Sequence, residues 1–166
     1  MDWNVVAAGT GRSMRLDSSS ELIIKEDGSY TRGNLVAAET VLQPDFVSPP
    51  QHLHHAHEEA WYILEGEVDF TSGTRVRRAG PGDWVVVPLG IPHTFGNPGE
   101  VPARFLSFFT PRLYLDYLTE LGEKTLLAMT ESDLPAGQIR ARIAAETMPK
   151  YHTEVVTDPA AWEKEH

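Results

Sequence analysis

The feature that most constrains this chain is the spacing of its breakers. From Leu22 to Thr110, alternating or β-branched runs are cut short by clusters of Gly, Pro, Asp and Ser. An amphipathic helix needs about ten uninterrupted residues, whereas a half-buried strand needs only a few at period two. The runs therefore read as strands at Glu21–Lys25, Asn34–Leu42, Gln51–His55, Ala60–Leu64, Glu67–Thr71, Arg75–Arg78, Asp83–Pro88, His93–Asn97 and Ala103–Phe109. Many short strands joined by tight turns give an all-β sandwich or barrel. Glu65-Gly66-Glu67 and Thr71-Ser72-Gly73-Thr74 supply residues tolerant of positive φ, and Gly80-Pro81-Gly82-Asp83 interrupts any ladder. Trp84-Val85-Val86-Val87 lacks polar alternation, so this strand is expected to be central and covered on both faces.

After Pro111 the period changes. Leu113, Tyr117 and Leu121 fall four apart, which predicts a helix of about three turns capped at Gly122. A second helix is expected after Ser132-Asp133, with Pro135 in its first turn, Ile139 and Ile143 on one face, and Pro149 closing it. The segment beyond is expected to be extended or loose. The 166 residues suit one domain, divided into an arm at 1–20 that includes Ser18-Ser19-Ser20 and is expected to be partly disordered, a barrel at 21–110, and a helical extension at 111–166 packed on it.

Composition narrows the function classes. Lys and Arg total 14 against 24 Asp and Glu, a formal charge of −10 that disfavours nucleic acid and anionic lipid. With no cysteine, disulfides, thiolate zinc sites and cysteine nucleophiles are excluded. No run approaches the ~20 apolar residues of a membrane span, and Met1-Asp2-Trp3-Asn4 lacks the basic and apolar regions of a signal peptide, so a cytoplasmic location is the expectation.

Four of seven histidines crowd into His52-Leu53-His54-His55-Ala56-His57, followed by Glu58 and Glu59. In a strand, His52 and His54 project to one side while Leu53 and His55 face the other. Beyond a bend, the chain can return Glu59 toward the same interior, and the stiff Pro88-Leu89-Gly90-Ile91-Pro92 turn can aim His93 there too. Two imidazoles on one face, with further donors downstream, make a metal the first hypothesis.

These residues resemble the cupin family. His52-x-His54-x4-Glu59-x6-Gly66 matches its first motif and Gly82-x5-Pro88-x-Gly90-x2-His93-x3-Asn97 its second, with Phe46 standing where the first motif usually opens on glycine. The wider chain is similar to single-domain cupins of the quercetin-dioxygenase-like type over roughly residues 20–157, through Thr31-Arg32-Gly33, Pro49-Pro50 and Tyr151-His152-Thr153-Glu154-Val155-Val156. The resemblance implies a small antiparallel jelly-roll barrel with His52, His54, Glu59 and His93 as ligands to one divalent metal. Three neutral imidazoles and a carboxylate suit Fe, Mn, Ni, Co, Cu or Zn and suit Mg or Ca poorly. Glu59 is also the candidate general base. Asn97 and the motif glycines read as structural.

His55 and His57 are expected to be mostly solvated, with His57 the one able to reach a metal or substrate. If Glu59 and His93 face inward, Trp61, Ile63 and Phe95 join them as an apolar substrate pocket. Phe105, Phe108, Phe109, Tyr114 and Tyr117 are expected to pack the first helix onto the barrel, the alternative being that they line the mouth of the pocket. The functional expectation is a metal-dependent dioxygenase acting on a small aromatic or enolic substrate. The alternatives are a non-oxidative cyclase, isomerase or decarboxylase using a Lewis-acidic ion, and a non-catalytic binding module. A homodimer is expected from open sheet edges and apolar helix faces.

Overall fold

The computed structural model describes residues 3–165. Within them, β1 (Arg12–Arg15), β2 (Ser20–Glu26), β3 (Val36–Leu42), β4 (His52–His54), β5 (Glu58–Glu65), β6 (Val68–Ser72), β7 (Arg75–Ala79), β8 (Trp84–Val87), β9 (Thr94–Gly96) and β10 (Ala103–Thr110) precede α1 (Leu113–Met129) and α2 (Ala136–Thr147). A 3-10 turn at Met148–Tyr151, β11 (Thr153–Val155) and α3 (Pro159–Glu165) follow. A six-stranded antiparallel sheet runs β1-β2-β3-β10-β5-β8. Opposite it lie β7-β6-β9 and β11-β4, linked by a bridge between His52 and His93. The strand-rich chain with its helical end thus has the expected all-β jelly-roll class. No described helix is long and apolar enough to cross a membrane.

Period-two alternation turns one face of the six-stranded sheet inward: Leu22 and Ile24, Val36 and Ala38, Phe105 and Phe109, Trp61 and Ile63 are all buried. That face has two covers. Leu22, Ile24, Val36, Ala38 and Phe109 pack beneath α1 and α2, through Tyr114, Leu118, Ile139 and Ile143. Trp61, Ile63 and Phe105 pack beneath the second sheet, through Val68, Phe70 and Ala79. Each such large side chain contributes about 1.5–3 kcal/mol. Between the covers the face turns polar, where Thr40 and Ser107 share a 2.7 Å hydrogen bond.

Several expectations are corrected. β8 is the edge of its sheet, not central: Val85 and Val87 pack inward, while Trp84 and Val86 are 57% and 55% exposed. Its apolar run reflects two different faces, with Trp84 tilted against Phe108 outside, ring centres 5.7 Å apart. The first helix does not stop at Gly122 but continues to Met129. That glycine is required by close approach, since a Cβ there would sit 2.7 Å from the Arg15 carbonyl oxygen. Pro135 precedes α2 as its N-cap. The N-terminal arm supplies β1, paired with β2, and the segment after Tyr151 is a strand paired with β4.

Candidate metal centre

Strand β4 is only three residues long, and all three are buried. One edge is held by the His52–His93 bridge, with reciprocal backbone hydrogen bonds of 3.0 and 2.8 Å. The other edge pairs with β11, which sets Thr153 opposite His54 and Val155 opposite His52. The bridge brings the His93 ring to 4.6 Å from that of His52, and the His54 ring lies 4.8 and 5.0 Å from these two. Glu59, inward on β5, reaches 3.0 Å from His93 Nε2 and 3.5 Å from His54 Nε2 through Oε2. One ligating atom each of His52, His54 and His93 lies within 4.8 Å of the others, and the same holds for His54, His57 and Glu59.

The far ring nitrogens explain why these atoms converge. His52 Nδ1 lies 2.8 Å from the Pro50 carbonyl and His93 Nδ1 3.0 Å from the Ile91 carbonyl. A carbonyl only accepts, so each Nδ1 carries the proton. His54 Nδ1 lies 2.9 Å from Thr153 Oγ1, whose own proton goes to the Tyr151 carbonyl at 3.4 Å. Each Nδ1 being a donor, each neutral ring turns a lone pair inward on Nε2. Among the described residues, Nε2 of His52 and His54 has no hydrogen-bond partner.

Burial above all, and then the neighbouring imidazoles, pushes the pKa of His52 down to about 3. Burial likewise takes His54 to about 4, against the pull of Glu59. Burial alone would raise Glu59, but the facing imidazoles, His54 foremost, hold its carboxyl well below the usual range. With Nδ1 protonated on each neutral ring, Glu59 Oε2 faces Nε2 of His93 and His54 at 3.0 and 3.5 Å, so a shared proton or a cation must lie among them. Anchored Nδ1 atoms behind converging Nε2 atoms are the form metal-binding histidines take. The donor set fits a divalent transition ion.

The surroundings differ from expectation in places. His55 is exposed and faces Glu154 at 3.2 Å. His57, expected in solvent, is buried: it stacks on Tyr114 at 4.1 Å and lies tilted against His54 at 3.7 Å, because α1 closes over the bend before β5. Trp61 and Phe95 line a small cavity of about 40 Å³ with Glu59, Phe105 and Tyr114. Ile63 lies deeper, in the cluster with Val68 and Ala103, and is not on the cavity wall. Phe46, in the place of the motif glycine, lines the cavity and stacks on Phe95 at 5.9 Å, with the Arg140 guanidinium 4.3 Å over its ring. Gly66, at φ +70°, admits the Pro102–Ala103 backbone, which a Cβ would meet at 2.9 Å. Asn97 ties its turn to the Leu42 and Val101 carbonyls.

Sequence reasoning missed Thr153 and left Tyr114 between lining the pocket mouth and packing the first helix. Burial and the Glu59 charge raise the Tyr114 phenol well above its usual range, so it stays protonated beside Glu59. Thr153 is 99 residues from His54, and its only signal was its place in a β-prone run at Thr153-Glu154-Val155-Val156.

Comparisons with known proteins agree with the fold. Residues 38–109 match the Cupin domain family. The dimethylsulfoniopropionate lyase DddQ of Ruegeria pomeroyi is 43% identical over 80 residues, 46% of this chain and 39% of that protein. The xanthan biosynthesis protein XanB of Xanthomonas campestris is 30% identical over 54 residues, 32% of this chain and 12% of that protein. The chain thus spans well under half the length of these curated relatives. A Cupin 2 conserved barrel domain protein from Salinispora arenicola superposes with TM-score 0.51 at 20% identity, over 71% of this chain and 95% of that one. KdgF from a Halomonas species gives 0.52 at 19%, over 60% and 86%.

Proposed function

We propose, from the premise that this chain carries a cupin domain, that it is a metal-dependent enzyme acting on a small oxygen-bearing organic molecule. His52, His54, His93 and Glu59 would hold the ion. The observation that carries this reading is the set of inward Nε2 atoms, those of His52 and His54 without a hydrogen-bond partner among the described residues, gathered about a buried carboxylate. When bound, the ion would supply Lewis acidity to a substrate oxygen. The chain supplies the rest. The Pro50 and Ile91 carbonyls and Thr153 fix the imidazole tautomers. Glu59 stays ionised, able to neutralise a cation or to take a proton from a substrate carbon or hydroxyl. Tyr114, held protonated, serves as a hydrogen-bond donor and not a base. Trp61, Phe95, Phe105 and Phe46 line the small apolar cavity beside Glu59 and keep water from it.

Two chemistries fit. A non-oxidative elimination is supported by the similarity to a protein named as a lyase; in such a step Glu59 would take a proton from a substrate carbon, the C–H electrons would form the new double bond, and the leaving group would depart with its own electron pair. The quercetin-dioxygenase-like reading, on an aromatic or enolic substrate, is supported by the aromatic cavity wall. The test is to load the protein with Fe, Mn, Ni, Co, Cu or Zn and to screen enols, phenols and β-substituted carboxylates with and without oxygen. Product formed anaerobically supports the first, and oxygen uptake matched to product supports the second. Protein that takes up no ion after full supplementation overturns both.

A further inference from the structure

His57 is not needed by the ligand set above, yet it is the most unusual side chain near it. It is 2% exposed, and among the described residues neither ring nitrogen has a hydrogen-bond partner. Leaving a buried N–H unsatisfied costs about 1–3 kcal/mol. The ring is held by its faces, against Tyr114 with the planes 24° apart and against His54 with the planes 38° apart. Its edge is thereby directed to Glu59, with Nε2 3.8 Å from Oε1, the carboxylate oxygen that His54 and His93 do not approach.

That separation is too long for a hydrogen bond. It matches two donors sharing an ion, because atoms each about 2.1 Å from one metal lie roughly 3 to 4.2 Å apart. The His54–Glu59 and His93–Glu59 distances, 3.5 and 3.0 Å, fall in the same interval. Resting on the metal reading above, we infer that His57 is a fifth protein donor to the same ion. The shell would then have four imidazoles and a carboxylate, and a six-coordinate ion would keep one exchangeable position where the three-histidine set would leave two. A substrate binds through a single oxygen, and a chelating substrate, or substrate together with dioxygen, enters only by displacing His57.

The test is Co(II) titration followed by calorimetry and visible absorption. His57→Phe keeps the stack on Tyr114 and removes the donor. It is expected to bind Co(II) about 10–100-fold more weakly, with an altered ligand-field spectrum. His57→Ala provides a second variant, in which free imidazole is expected to restore the affinity and the spectrum. Variants that bind Co(II) within twofold of wild type, with an unchanged spectrum and no response to imidazole, overturn this inference alone. Wild-type protein that takes up no Co(II) overturns the metal reading and this inference with it.

Discussion

Strands β4 and β8 make an instructive pair. β8 is the more hydrophobic, yet it lies bare at the end of its sheet with Trp84 and Val86 exposed. β4 carries two histidines in three residues, yet it is buried throughout, bridged to His93 on one side and covered by β11 on the other. In this fold, cover is spent where side-chain nitrogens need a fixed direction and not where the sequence is most apolar. An apolar edge loses little by touching water on one face, whereas an imidazole that rotates loses its tautomer and its aim.

That contrast can be broken by acid. The fold keeps His52 and His54 neutral below pH 6.5, where the unfolded chain takes up protons, so the native state binds fewer protons and stability falls as the pH drops. The metal-free protein is expected to lose about 1.4 kcal/mol per pH unit for each imidazole, from pH 6.5 down toward 4. Melting curves at constant ionic strength measure this, and a flat profile across that window breaks the account of β4.

A smaller effect is expected from Thr153→Val. It keeps the β11 pairing but leaves the His54 Nδ1 proton without its acceptor, at a cost of about 1–3 kcal/mol in chemical denaturation. Metal affinity is expected to fall about 10–100-fold, read by competition with a chromogenic chelator. The smallest effect belongs to the bare strand. Val86→Thr keeps a β-branched residue on an exposed face and is expected to change stability by less than about 0.5 kcal/mol. A larger loss would show that β8 is covered in solution, which would sharpen the contrast into a question about what covers it.

The barrel was legible because its signals are local: period-two alternation placed Trp61 with Glu59, and fixed spacings placed His52, His54 and His93. What stayed hidden depends on partners distant in sequence. Nothing within β8 says whether it has one neighbour or two. Gly122 reads as a stop signal until the Arg15 backbone is known to press against it. His57 reads as a solvated loop residue until Tyr114 is laid over it from a helix that begins 56 residues later. The acceptor for His54 comes from farther still.

The pairing of β4 with β11 has a consequence for biosynthesis. A nascent chain that has emerged past His93 already contains every histidine and carboxylate of the centre, but His54 stays free to swivel until Thr153 leaves the ribosome. The aim of His54 thus waits on a residue 99 positions farther along the chain, and a product truncated before Thr153 is expected to hold an ion less tightly than one that contains it.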